Sequence, residues 1–566
     1  MSKDKKLSAV EHIKMNSDGL RGTLKQSLEN PVTGALSEDD QTLIKLHGMY
    51  QQDDRDRREE RSSKKLEWLY SYMVRLRLPG GFLTPQQWIG LHNIAGENST
   101  GTIKITTRHT IQLHGIFKSD IKPTIKSFNI LNLDSITACG DVNRNVICSA
   151  HPKQSAIHEQ VFQYADKISN LALPKTHSYY EIWLDEEPLA DKKQEEDPLY
   201  QDRYLPRKFK IAIAIPSNND VDVFTNDIGL IAIIENNELK GFNIAVGGGL
   251  GTTHGNANTY PRLGTILGFL DSEEKILGAV YEIISIQRDN GDRSDRKLAR
   301  LKYTIDRMGI EAFKSELSER CGFELEEPRP YQFTERRDYY SWHQNHEGLW
   351  YYTVFVENGR ILDAQGLALK SALFEVAKTG KANFRFTANQ NVILADIKDY
   401  DKATIDAILQ EFKIVQHTDG ASSIRKNSMA CVAFNTCPLA LAEAQRYLPW
   451  LITKIEPLLE KYGLGDEDII LRMTGCPNGC ARPSAAEIGF VGTAYGLYNL
   501  HIGGDRLGNR LNVKFLDSLD EAQILETLDT LFDVYVKERN ESETFGDFSN
   551  RKWIDRGASG DLGDKL

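Results

Sequence analysis

From Ile103 to His114 apolar residues alternate with polar or basic ones, the period of a strand with one buried face. The alternation predicts a strand pair over Thr102 to Ile116, with Lys104, Arg108, Gln112 and His114 opposite the apolar face. A helix-like run through Trp88 to Ala95 precedes it, and Arg75-Leu-Arg77-Leu-Pro79-Gly80-Gly81 turns the chain before that. The pattern returns over Asn383 to Leu394, with Arg385 in the place of Lys104 and Thr387 in that of Thr106. A second pair of segments also repeats: Gly241 to Gly251 resembles Tyr498 to Gly508. Arg144 to Pro152 holds the place of Met429 to Pro438, and Arg207 to Pro216 that of the strand leading to Cys476. The order is A-B-A′-B′, a duplicated chain. The period-two A modules can pair about a pseudo-twofold axis. The B modules alternate strands with helices, which predicts α/β domains with mixed sheets.

Residues 1 to about 70 stand outside the duplication. They are polar and end in the charge run Asp53 to Arg61, whose i,i+4 pairing reads as a solvated helix face. Asp185 to Asp202 reads as an exposed acidic loop, and Glu324 to Pro330 as the link between halves. Gln287 to Lys302 is basic, either a solvated helix end or a site for a polycarboxylate, which forked arginine donors match.

Composition narrows the function. The 566 residues allow about three or four domains, and a formal charge of −11 argues against nucleic acid as the main partner. Met1-Ser-Lys-Asp-Lys-Lys leads into no apolar segment and no run spans a membrane, so the expectation is a cytoplasmic chain. In a reducing compartment paired cysteines act as metal ligands more often than as disulfides. Four of the seven fall as Cys431-x5-Cys437 and Cys476-x3-Cys480. The wider gap suits an iron–sulfur cubane, with zinc as the alternative. Gly475, Pro477 and Gly479 permit a turn whose N–H groups can face sulfur. Cys139, Cys148 and Cys321 read as buried thiols. The runs Gly247 to Gly251 and Gly503 to Gly508 lack dinucleotide spacing and read as backbone lying close to a large flat cofactor. If the pseudo-twofold holds, the cysteines face Arg144, Lys208 and Lys210 across a central cavity.

These motifs, with Asn143-Arg144-Asn145-Val146, Leu205 to Lys210 and the duplicated A modules, resemble the sulfite and nitrite reductase family over nearly the whole chain. His47 to Asp56 and Ser428 to Ala440 are similar to the haemoprotein branch of the assimilatory NADPH-dependent enzymes. The resemblance implies an α/β (α+β) fold around a buried cofactor site. Its parts are a polar docking arm (1–71), two halves of a ferredoxin-like module (72–136 and 338–416), a basic α/β domain (137–337) and an α/β domain carrying the cluster ligands (417–566). It implies a [4Fe–4S] cluster on Cys431, Cys437, Cys476 and Cys480, the last also the axial thiolate of sirohaem. Arg75, Arg144, Lys208 and Lys210 would form the distal anion pocket, and Arg108, His114 and Arg300 would hold sirohaem carboxylates. Lys104 stands where relatives are expected to carry arginine. The implied reaction is six-electron reduction of sulfite to sulfide for cysteine biosynthesis, with a ferredoxin-dependent sulfite or nitrite reductase as the alternative. Electrons would come from a flavoprotein (alpha) subunit that carries FAD and FMN and oxidises NADPH, since no flavin or nicotinamide motif is seen here. A non-catalytic zinc or iron–sulfur scaffold is the reading from another class.

Overall fold

The computed structural model describes residues 6–152, 155–187, 197–364 and 366–555. Both alternating stretches form antiparallel hairpins, Ile103–Ile105 with Ile111–Ile116 and Asn383–Phe386 with Val392–Ile397. Each hairpin sits in a five-stranded sheet. The first runs Met49–Asp53, Tyr70–Arg75, Ile111–Ile116, Ile103–Ile105, Arg360–Ile361. The second runs Ser341–Gln344, Trp350–Val354, Val392–Ile397, Asn383–Phe386, Phe82–Leu83. The last strand of each comes from the other half of the chain: Arg360 registers with Lys104, and Phe82 with Arg385. Matching turns make the exchange, Gly80-Gly81 at φ +64° and +75° and Asn358-Gly359 at φ +50° and +67°. A side chain at Gly81 would meet His109 Cβ at 2.6 Å, and one at Gly359 the Ile105 carbonyl oxygen at 2.5 Å, so both turns need bare backbone.

The α/β modules repeat just as closely. Ile147–Cys148, Ile211–Ala214 and Ile228–Glu235 are parallel, and Glu238–Val246 and Thr265–Leu270 follow antiparallel. Ser428–Ala430, Leu471–Thr474, Ile488–Ala494, Leu497–Ile502 and Val513–Leu519 take the same order and directions. An 18-residue helix then covers each sheet, Glu273–Asn290 capped by Ser272 and Glu521–Glu538 capped by Asp520 and Gln523. One apolar core runs from Leu20 to Ile414 through the first three sheets, and a second, from Ile424 to Trp553, belongs to the last domain.

A charged contact ties the first α/β domain to the last. Asp222 and Arg482 occupy the same position in the two halves, each just before a 3-10 turn and each with positive φ, +49° and +57°. They meet: Asp222 Oδ2 lies 2.7 Å from Arg482 Nε and 2.7 Å from Arg472, while Oδ1 accepts from Arg336 at 3.0 Å. The carboxylate is 1% exposed.

Of the expected arm 1–71, the described residues from 6 onward pack into the main body, and a boundary at residue 72 would cut the strand Tyr70–Arg75. Met49–Asp53 is an edge strand of the first sheet, and Leu20, Leu24, Leu43, Ile44 and Leu46 are buried in the main core. Polar hubs replace periodicity in this segment. Buried Asp40 accepts from Thr23 N at 3.0 Å and Ser37 Oγ at 2.8 Å. Trp183 Nε1 donates to His47 Nδ1 at 3.0 Å, which leaves His47 Nε2 to donate to Leu20 O at 3.0 Å. In the expected loop 185–202, residues 188–196 lie outside the described residues, and Asp197, Leu199 and Tyr200 are buried rather than exposed. Cys139 and Cys148 are buried as expected, and Cys321 is half-buried.

Asp222→Asn should cost about 3–5 kcal/mol, because three buried guanidiniums lose their counter-charge. The guanidiniums hold the Asp222 carboxyl well below the usual carboxylate range against the opposing effect of burial. A depressed carboxyl stabilises fully above its unfolded pKa and loses that contribution as pH falls toward its folded one. Thermal unfolding followed from pH 7 downward should therefore show a lower midpoint for the variant and a weaker acid dependence than in the parent chain.

Candidate active site

The two cysteine loops leave adjacent parallel strands at their carboxyl ends, where Ala430 registers with Met473. Cys431 follows Ala430 directly, and Gly475 N donates to its Sγ at 3.4 Å. Asn478 Nδ2 donates to Cys476 Sγ at 3.5 Å, and Thr474 Oγ1 fixes the loop by donating to Cys476 O at 3.0 Å. Burial, then Cys480, pushes the Cys431 thiol up, and Cys437 and Cys476 add to this. Cys437 is pushed up to about 12 by burial and by Cys480 and Cys476. The four thiols thus lie within one another's field. They cannot ionise together without a strongly cationic centre. Four thiols with amide donors aimed at sulfur are suited to a polynuclear cluster.

Cys480, the exposed member, lines a cleft together with Arg108, Lys208, Lys210, Arg300 and Arg482. That lining holds five basic side chains and no carboxylate. Lys208 and Lys210 flank Phe209 in the extended segment entering Ile211–Ala214, so both side chains leave the same face. Neither has an ion-pair partner among the described residues. Burial, then Arg207, pushes Lys208 down to about 7, with Cys480 pulling the other way. Burial, then Lys208, pushes Lys210 well below the usual lysine range, with Cys480 again pulling the other way. Arg144 belongs to the same field and is held by Nε donating to Gly140 O at 2.9 Å.

The other expected contacts are more fully committed. Arg300 lines the cleft, but its fork grips Asp227 at 3.2 and 2.8 Å. Arg108 donates to Asn145 O, Asn226 Oδ1 and Ile211 O at 2.6 to 2.8 Å, so it contributes charge and a fixed wall more than free donors. His114 does not reach the lining. Its nitrogens face Gln52 Oε1 at 3.0 Å, Gln112 at 3.3 Å and Thr436 at 3.4 Å, and burial with Lys104 and Arg75 pushes it down to about 3. Arg75 lies beyond the lining as well, donating to Ala138 O at 3.1 Å, and its charge acts on the Tyr50 phenol together with those of Arg144 and Arg207. Lys104 is buried and donates to the Asn358 carbonyl, so it acts as a strand lock. Of the two glycine runs, only the first reaches the cleft, through Leu250 and Gly251. Gly504 in the second packs against Ala486 and Gly546 instead.

Several site residues went unread. Arg482 lines the cleft two positions after Cys480, and its opposite charge to Asp222 at the duplicated position was the available signal. Arg55, inside the charge run taken as solvated, donates to Cys437 O at 3.2 Å and Ala440 O at 2.8 Å and lies over the Phe434 ring. Asn435 donates to Asp54 at 2.8 Å. Segments of the first half also clamp the second cysteine loop: Thr107 Oγ1 donates to Cys480 O at 3.1 Å and Thr252 N to Pro477 O at 2.9 Å.

Comparison with known proteins adds a name to this geometry. A family model described as the nitrite/sulfite reductase ferredoxin-like half domain matches residues 69–129 and 343–412, the two strand-exchanged modules. One described as the nitrite and sulphite reductase 4Fe-4S domain matches residues 164–325. That span includes only Cys321, whereas the cysteine quartet lies in its duplicate. The chain is 62% identical over 551 residues to the sulfite reductase [NADPH] hemoprotein beta-component of Leptospira biflexa, covering 97% of this chain and 99% of that one. It is 50% identical to the protein of that name from Staphylococcus haemolyticus, covering 97% and 96%. Among solved structures, Mycobacterium tuberculosis NirA aligns over 97% of both chains with a TM-score of 0.78 and 25% identity.

A lysine with a pKa near 7 is cationic below that pH and neutral above it. Anion affinity of the cleft should fall as pH rises through about 7, and Lys208→Met should flatten that dependence. Isothermal titration with sulfate, which stays a dianion between pH 6 and 9, reads both.

Proposed function

The chain belongs to the nitrite and sulfite reductase family, and from that premise we propose that it reduces sulfite to sulfide as the haemoprotein component of an NADPH-dependent sulfite reductase. The carrying observation is a four-thiol site whose exposed member, Cys480, opens onto a cleft of five basic side chains and no carboxylate. The donor set fits both cofactors of the family, a [4Fe–4S] cluster and sirohaem. Cys431, Cys437, Cys476 and Cys480 would hold the cluster, and Cys480, which opens onto the cleft, would also be the thiol that meets the haem. When bound, the pair supplies an open iron position for sulfur and a store for the next electron beside it.

The side chains have separate tasks. Lys208, Lys210 and Arg144 attract the sulfite dianion and offset its loss of water. Lys208 Nζ, with a pKa near neutrality, can release a proton to a sulfite oxygen and regain it from solvent as six electrons and seven protons are consumed. Arg108 and Arg300, bound to protein oxygens, supply fixed positive potential toward the carboxylates of the large cofactor. Arg75 and His114 act from behind this layer, where they order Gln112 and the strand that carries it.

The relatives are named as beta-components, which implies a partner subunit. We assign that role to a flavoprotein carrying FAD and FMN that oxidises NADPH in the cytoplasm. No helix among the described residues is long and apolar enough to cross a membrane.

Purified chain from cells that make sirohaem should show a Soret band, acid-labile sulfide and stoichiometric sulfide formation from sulfite under a chemical reductant, with nitrite assayed in parallel. A haem-free protein would overturn the reading. Cys480→Ser should lose the coupled spectrum and sulfite reduction. Lys208→Ala should keep both cofactors and lower turnover by about 10²-fold; unchanged sulfite kinetics would remove Lys208 from the mechanism.

A further inference from the structure

The loop that presents Lys208 and Lys210 hangs from three cations. The consecutive carbonyl oxygens of Tyr204, Leu205 and Pro206 accept from Arg293 at 2.8 Å, Lys14 at 2.7 Å and Arg296 at 3.4 Å. Two carboxylates knit these cations together. Asp141 takes the fork of Arg296 at 2.6 and 2.8 Å and lies 3.5 Å from Lys14, and its own carbonyl accepts from Leu205 N at 3.0 Å. Glu11 pairs with both Lys14 and Arg293. Lys14 and Glu11 are each 1% exposed and belong to helix Ala9–Met15, far from the cleft in sequence.

We infer that Lys14 is a positioning residue for sulfite reduction, acting through the Leu205 carbonyl to fix where Lys208 and Lys210 meet the substrate. The inference rests on the sulfite-reducing role given to that cleft. Lys14 is the one cation of the three that comes from the N-terminal segment, so it joins that segment to the loop. A buried ammonium is costly to hold. Here it joins two carboxylates and a carbonyl at the point where the chain enters the anion-binding segment. On the far side, Arg144 N donates to Phe209 O at 2.9 Å and Phe209 N to Val142 O at 3.0 Å. The loop is therefore pinned before Arg207 by cations and at Phe209 by backbone, with Lys208 between the two anchors and Lys210 directly after the second. Displacement of a positioned group by a fraction of an ångström is enough to weaken binding and transfer.

The test uses the cofactor-loaded chain with a chemical one-electron reductant, so no partner subunit enters the result. Lys14→Met should keep the parent visible spectrum, raise KM for sulfite about tenfold and shift the alkaline limb of kcat/KM. Lys14→Arg, which keeps a donor cation, should recover most of both. A Lys14→Met protein with parent KM and pH profile, altered only in thermal midpoint, overturns the inference. If Lys14→Met does not fold, Glu11→Gln leaves the lysine in place with a loosened clamp and should raise KM in the same direction. Parent KM in Glu11→Gln would then overturn it. Failure of the parent chain to reduce sulfite at all would instead overturn the functional reading.

Discussion

One buried carboxylate, Asp222, joins the two halves of this molecule. It receives Arg336 from the connection between halves and Arg472 and Arg482 from the cysteine-bearing domain, while its backbone starts the 3-10 turn beneath the basic domain. The last domain has an apolar core of its own. Apolar burial therefore does not by itself fix that domain against the rest, whereas a charge of one sign held by three of the other requires a single relative placement. Arg482 is also two residues from Cys480 and lines the cleft. The same contact that holds the domains in register thus sets the distance between the thiol and the cations facing it.

Duplication explains why this contact exists and why the site has one copy. The registers place Ile147 opposite Ala212 and Met429 opposite Arg472, then Ala212 opposite Gly229 and Arg472 opposite Gly489. By that correspondence Ser149 stands where Cys431 does. Asp220, two before Asp222, stands where Cys480 does, two before Arg482. In the first half these positions close on themselves: Ser149 Oγ donates to Asp220 at 2.7 Å, and Ala150 N donates to its other oxygen at 3.0 Å. A hydrogen-bonded plug fills the place that thiols occupy in the duplicate. This also accounts for a cluster-domain match over residues 164–325, which carry the fold of that domain without the four ligands.

Legibility followed the length scale of each interaction. The period-two stretches at Ile103 and Asn383 and the paired cysteines were readable because their signals are local. The strand exchange was not, since Arg360–Ile361 and Phe82–Leu83 are too short to show a period. The segment before residue 70 reads as polar because the burial of its described residues depends on hubs such as Asp40 and His47 rather than on an apolar stripe. Arg300, Arg108 and His114 were readable as basic side chains, yet their partners Asp227, Asn145 and Gln52 lie tens of residues away. A sequence displays a charge without displaying what neutralises it.

The cleft's unpaired lysines have a consequence for turnover that follows from electrostatics alone. Cations brought together out of water disfavour their own protonation, which is why Lys208 stands near 7 rather than in the usual lysine range. An arriving dianion reverses the balance and raises that pKa again, so binding draws a proton from solvent onto Nζ near neutral pH. Substrate and proton then arrive together. Each oxygen that leaves as water takes two electrons and two protons and leaves the net charge unchanged; the seventh proton is what lowers the charge, and with it the attraction to the same cations. The hydrosulfide product is a monoanion, held less tightly than the dianion that entered. The field that captures sulfite therefore favours release of sulfide without any rearrangement of the lysines.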